Sequence, residues 1–137
     1  MKRLVKFMAV LVSLVIVTGL LVGCGDKNKL ADVFDEETVK QQALDDITVG
    51  ESGDFDAWKA RFAEEVQAGL TQEIYDNYIN LLKEKGEFKE FGKCAVVGQE
   101  QDGKNYAVAV YMVKHEKGDI KYTIAYDEEM HLIQYVI

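Results

Sequence analysis

Three stretches of helical periodicity and four of strand-like alternation divide the chain, and the period changes once, near Gly86. The first helix is predicted over Asp32 to Ile47, where Val33, Val39, Ala43, Leu44 and Ile47 fall on or near one stripe. Asp35, Glu36 and Glu37 suit its N-terminus. The stretch TVGESGD breaks that pattern, with Gly50 and Gly53 as punctuation. Asp54 is a good cap for a second helix, whose apolar stripe is Phe55, Trp58, Phe62 and Val66. Gly69 weakens or ends it. Thr71 then caps a third helix, carrying Ile74, Tyr78, Leu81 and Leu82 and ending at Gly86.

After Gly86 the period falls to two. Phe88 and Phe91 lead into a strand over Lys93 to Gln101, and Asp102-Gly103 is a pair preferred in two-residue type I′ hairpins. The next strand, Asn105 to His115, sets Tyr106, Val108, Val110 and Met112 against Ala107, Ala109, Tyr111 and Val113. Both sets are apolar, which predicts a central strand covered on both sides. Lys117-Gly118-Asp119 turns the chain into Ile120 to Tyr126. The last strand, His131 to Ile137, places Ile133, Tyr135 and Ile137 on one face. Helices first and an antiparallel meander after them give an α+β class: three N-terminal helices packed on a curved, cone-like sheet of about four strands.

The N-terminal stretch follows a different logic. Lys2, Arg3 and Lys6 flank an apolar run from Phe7 to Val22, too short for the roughly 20 residues of a spanning helix. Basic, apolar and small-residue regions in that order predict a signal peptide over residues 1–23. Leu21-Val22-Gly23-Cys24 resembles the bacterial lipobox. The resemblance implies diacylglycerol on the Cys24 sulfur, cleavage before that residue, and residence on the outer face of the cell membrane. Residues 24–31 form the lipidated tether and 32–137 a single domain.

Removing residues 1–23 takes away three basic residues and no acids, which moves the net charge from −8 to −11. Such acidity argues against nucleic acid and against a face lying on anionic lipid. Cys94 is then the sole remaining thiol, so no intrachain disulfide forms, and its place in CAVV reads as core.

No catalytic constellation stands out. His115 beside the KGD turn reads as a solvated imidazole. His131 opens the last strand, where one register turns it toward the interior. The histidines and cysteines lack zinc spacing, and DKNKLADVFDEE lacks the calcium-loop order. The acid pairs Asp45-Asp46, Glu64-Glu65 and Glu128-Glu129 diverge on a helix or strand and read as solvated charge. No phosphate loop or nucleophile elbow is present. These readings predict no enzyme, no metal and no cofactor. The tyrosines are suggestive: Tyr106, Tyr111, Tyr122, Tyr126 and Tyr135 lie on strands, and Tyr75 and Tyr78 on the third helix. They suit a pocket wall or a partner-binding sheet face, and the plainer reading is the edge of an ordinary core.

The run GDFDAWKARF, then Thr71 to Tyr78, then Leu82-x-x-x-Gly86-x-Phe88, then three Tyr- and Val-rich hairpin strands, resembles the domain of unknown function 3887 family over about residues 30–137. The resemblance implies a small exported domain of nuclear-transport-factor-2-like (cystatin-like) fold, often on lipoproteins. It implies a concave sheet that holds an apolar ligand or pairs with another subunit, and no activity. The expected pocket lies between that sheet and helices one and two, walled by Trp58, Phe62, Tyr106, Tyr122 and Tyr135. The expected function is non-catalytic binding of a small apolar ligand or an envelope protein. Two alternatives stand beside it: a homodimerising structural envelope protein, and a small hydrolase or isomerase using His131 with a buried carboxylate.

Overall fold

The computed structural model describes residues 29–137, so the predicted signal peptide and Cys24 lie outside the described residues. Four helices, α1 (Glu36–Glu51), α2 (Phe55–Lys59), α3 (Glu64–Gln67) and α4 (Gln72–Lys85), precede four strands. The strands β1 (Phe88–Gln101), β2 (Lys104–His115), β3 (Gly118–Tyr126) and β4 (Leu132–Val136) form one open antiparallel sheet in sequence order. The α+β plan therefore holds, with four helices in place of three.

The first helix starts and ends four residues later than expected. Asp35 caps it, its carboxylate accepting from the Thr38 amide at 2.9 Å. Such a cap contributes about 1 kcal/mol. Gly50 does not punctuate the helix but lies inside it, where a Cβ would overlap the Tyr135 hydroxyl. The turn falls instead at Ser52 and Gly53, where Gly53 has φ 92°.

The expected second helix is broken into α2 and α3. Between them the backbone pairs with β4: the Leu132 amide donates to the Arg61 carbonyl at 3.0 Å, and the Ala63 amide donates to the Leu132 carbonyl at 2.8 Å. Two tertiary hydrogen bonds to the strand replace helical ones, and Ala63 caps α3 without a side-chain acceptor. The aromatic stripe survives the break, since Phe55, Trp58 and Phe62 all pack into the main core. The last helix, α4, matches expectation, capped by Thr71 and closed by Gly86 at φ 85°.

Register explains the strand differences. β1 begins at Phe88, ahead of its predicted start, because irregularities between Phe88 and Glu90 and between Phe91 and Cys94 interrupt its alternation. Asp102 and Gly103 both have positive φ, as a type I′ turn requires. In β4 a register shift opposite Ala125 and Tyr126 sends Ile133 and Tyr135 to opposite faces, where alternation alone places them together. β2 is interior as expected, though its second face is covered only at one end. Val108 is buried there with Ala63, Ala125 and Ile133, whereas Val110 and Met112 remain half-buried.

Helices α1, α2 and α4 pack on the face carrying Ala107, Ala109, Tyr111, Val113, Ile120, Tyr122, Ile124, Tyr126 and Tyr135. Leu30 and Ala31, assigned to the tether by sequence, also pack against this core. Cys94 is half-buried against it, and burial pushes its thiol up, which suits a structural thiol.

Candidate binding site

Of the five expected wall residues, Trp58, Phe62, Tyr122 and Tyr135 are brought together on the helix-covered face, all almost wholly buried. Trp58 meets Phe62 at 5.0 Å and Tyr135 at 5.5 Å between ring centroids, both edge-on, and lies 4.9 Å from Tyr75. Tyr122 meets Tyr135 at 5.6 Å. The rings fill this space with one another. Tyr106 is separate: it packs with the small cluster on the outer face of the sheet.

A chain of hydrogen bonds runs through the interior. Tyr122 donates to the Glu51 carboxylate at 2.6 Å. Its proton being committed, Tyr78 donates to Tyr122 at 2.7 Å and Tyr135 to Tyr78 at 2.8 Å. Three hydroxyls thus point one way, toward the C-terminus of α1, and each polarises the next. Burial, then the neighbouring tyrosine, pushes Tyr78 and Tyr135 well above the ordinary phenol range, and Tyr122 rises for the same reasons. All three stay neutral donors.

Glu51 also meets His115, whose Nε2 is 3.1 Å from the same carboxylate oxygen. The other ring nitrogen, Nδ1, donates to the Gly86 carbonyl at 2.9 Å. His115 is therefore a buried link between the ends of α1 and α4, not the solvated imidazole expected beside the KGD turn. A second buried acid, Asp46, corrects another expectation. Tyr126 donates to it at 2.6 Å and the Arg61 Nε lies 3.0 Å away. Burial raises its carboxyl above the usual range, while Tyr126 and Arg61 pull it down. Asp45 beside it is exposed, as divergence on a helix requires.

Both missed residues carried a signal. Asp46 stands on the stripe of Val39, Ala43, Ile47 and Gly50, and His115 extends the inward set Ala107, Ala109, Tyr111 and Val113. Their polarity concealed a burial that periodicity already dictated.

The outer face holds a cleft of roughly 630 Å³ at the end of the sheet where the β1–β2 and β3–β4 turns meet. Its floor includes Ala63, Val66, Tyr106 and Ile133. Its walls carry the carboxylates of Glu64, Glu65, Asp102, Asp127, Glu128 and Glu129, against Lys104 and His131. The two turns are tied together by Glu128, which accepts from the Asn105 amide at 3.0 Å. Asp127 accepts from the Glu129 and His131 amides and so shapes the second turn, where Met130 has φ 65°. His131 is exposed here, 3.8 Å from Asp127 and 3.7 Å from Glu129. Donor atoms of these three lie within 4.8 Å of one another, a grouping of the kind a divalent cation takes, although His131 and Glu129 are exposed.

A family model described as protein of unknown function (DUF3887) matches residues 47–134. The chain belongs to the DUF3887 family. The matched span runs from the buried end of α1, through the aromatic stripe, Tyr78 and Tyr122, to within one residue of Tyr135. A protein from Ruminococcus gnavus ATCC 29149, whose NMR structure is solved, is 44% identical. It superposes with a TM-score of 0.74, over 80% of this chain and 96% of its own. No curated protein matches the chain.

Proposed function

We propose that this DUF3887 member is a lipoprotein of the outer face of the cell membrane, anchored through Cys24. Its cone-like domain acts without catalysis, binding a ligand or protein partner in the outer cleft. The observation that carries this reading is the contrast in filling. The helix-covered side is occupied by its own aromatic rings, whereas the cleft is open and pairs an apolar floor with six carboxylates. Such a lining suits a cationic group on an apolar body: a small amine or a basic segment of another protein. Among the described residues no helix is long and apolar enough to cross a membrane; lipid on Cys24 supplies the membrane contact in this proposal.

Calorimetric titration of the mature chain with spermidine and with a short Lys- and Leu-containing peptide tests the cleft. Binding is expected at low salt, weakening as salt rises, and lost in a Glu64→Gln, Glu65→Gln double variant. Binding unchanged in that variant removes the cleft from the account. The anchor is tested separately: Cys24→Ser leaves an unprocessed precursor without lipid label, and normal labelling contradicts it.

The dimer reading keeps two observations in its favour. Val97, Val110 and Met112 on the outer face are only half-buried, and β1 is a free sheet edge. Light scattering on the mature chain decides it, a strict monomer at all concentrations ending the proposal. A hydrolase using His131 has less support, because its imidazole faces the Asp127 and Glu129 carboxylates on an exposed turn.

A further inference from the structure

The path of the chain into the domain brings its described N-terminal end against one level of the sheet. Lys29 and Leu30 run directly against Gly98 of β1: a Cβ at Gly98 would overlap the Lys29 carbonyl oxygen and stand 2.7 Å from the Leu30 Cα. Leu30 and Ala31 then pack, half-buried, against the core. The entry point is therefore a packed contact on the sheet. Gly98 pairs with Ala107, which pairs with Tyr126, so all three stand at one level near the end where the β1–β2 and β3–β4 turns lie.

Distances along the strands decide what the tether reaches. From Lys29 back to Cys24 an extended chain spans at most about 18 Å. At about 3.4 Å per residue, Asp102 is about 14 Å from the level of Gly98, and His115 about 27 Å from it in the opposite direction. The turn end lies within the tether's reach of Cys24, and the β2–β3 end lies beyond it.

We infer that the lipidated domain stands with the β1–β2 and β3–β4 turns toward the bilayer and the Glu116-Lys117 turn, where the structure puts the β2–β3 connection, away from it. The inference rests on the lipid-anchor reading. Its consequence is that the acidic cleft opens into the gap between domain and membrane, and its partner is met at the membrane surface. Asp102, Asp127, Glu128 and Glu129 face that gap, and an anionic leaflet repels them, which holds the domain off the lipid. Orientation is then set by the short tether, not by adhesion.

The test uses the full mature lipoprotein in lipid nanodiscs carrying gadolinium-chelating headgroups, read by amide NMR. Signal loss is expected at residues 101–105 and 127–131, with 115–119 spared. Doubling the tether with Gly and Ser residues between Asn28 and Lys29 is expected to weaken that loss. Equal or greater loss at 115–119, or a pattern unchanged by the longer tether, overturns the orientation. Mass spectrometry of the same sample keeps the two readings apart. A chain without lipid on Cys24 defeats the anchor, and a lipidated, disc-bound chain with the wrong attenuation pattern defeats only the orientation.

Discussion

The two faces of the sheet use the same residue types for opposite ends. On the helix-covered face, tyrosines and acids are buried together: Tyr135, Tyr78 and Tyr122 donate in series toward Glu51, and Tyr126 donates to Asp46. On the outer face Tyr106 lies half-buried among acids whose carboxylates line a cleft. The first arrangement pairs its hydroxyls with one another and with the two carboxylates, and its rings fill the space between sheet and helices. The second presents charge over an apolar floor. Polarity alone therefore does not distinguish a structural tyrosine from one available for binding. What distinguishes them is whether the hydroxyls and carboxylates have already found one another.

The largest test of this contrast is Gly50→Val. Any side chain at Gly50 strikes the Tyr135 hydroxyl, so a loss of about 3 kcal/mol is expected in urea unfolding. A loss below about 0.5 kcal/mol, within the range of neutral surface changes, means that the interior has room to give. Tyr78→Phe comes next. Its hydroxyl bridges two others, and its removal strands Tyr135 without an acceptor, at a cost of about 2 kcal/mol. The same substitution at Tyr106 is expected to change stability by less than about 0.5 kcal/mol, which sharpens the contrast between faces.

Asp46 provides a comparison by pH. Its carboxyl is raised in the folded protein, so the native state holds the proton more tightly than the unfolded chain does. The stability this contributes is complete below the unfolded value of about 3.9 and lost as pH rises through the higher folded value. Relative to Asp46→Asn, the wild type is therefore expected to lose ground from about pH 4 upward. Parallel urea titrations at several pH values measure this, and a difference that moves the other way contradicts the burial account.

A smaller effect is expected at Gln134. Its amide is fully buried beside Ala125, and neither polar atom has a protein partner among the described residues. Gln134→Leu removes that unmet demand and is expected to stabilise by about 1 kcal/mol. Destabilisation in thermal unfolding would mean that the amide is bonded in solution. Smallest of all, Glu64→Gln and Glu65→Gln are expected to leave unfolding within about 0.5 kcal/mol while abolishing amine binding.

Much of the fold was legible because its signals are local. Asp54 and Thr71 cap their helices, Gly86 closes α4, and Asp102-Gly103 makes the expected turn. What escaped is non-local. Nothing near Arg61 to Ala63 announces that β4 takes its backbone hydrogen bonds and splits a well-patterned helix. Nothing in HLIQYVI announces the register shift that separates Ile133 from Tyr135. The site was less legible for a related reason. Trp58, Phe62, Tyr122 and Tyr135 share the helix-covered face while Tyr106, grouped with them, lies on the other, and whether grouped rings line a space or fill it depends on how α1, α2 and α4 close over them. The cleft draws on α3, two turns and β4, segments distant in sequence, and their acids read one by one as solvated charge.

The most direct test of the central claim is the amide shift map of the mature chain titrated with spermidine. The account predicts shifts at residues 63–66, 101–106 and 127–133, with the Trp58 indole signal and the amides of Tyr78, Tyr122 and Tyr135 unmoved. Shifts centred on Trp58, Tyr122 and Tyr135, with the cleft silent, would place binding inside the helix-covered face and contradict it.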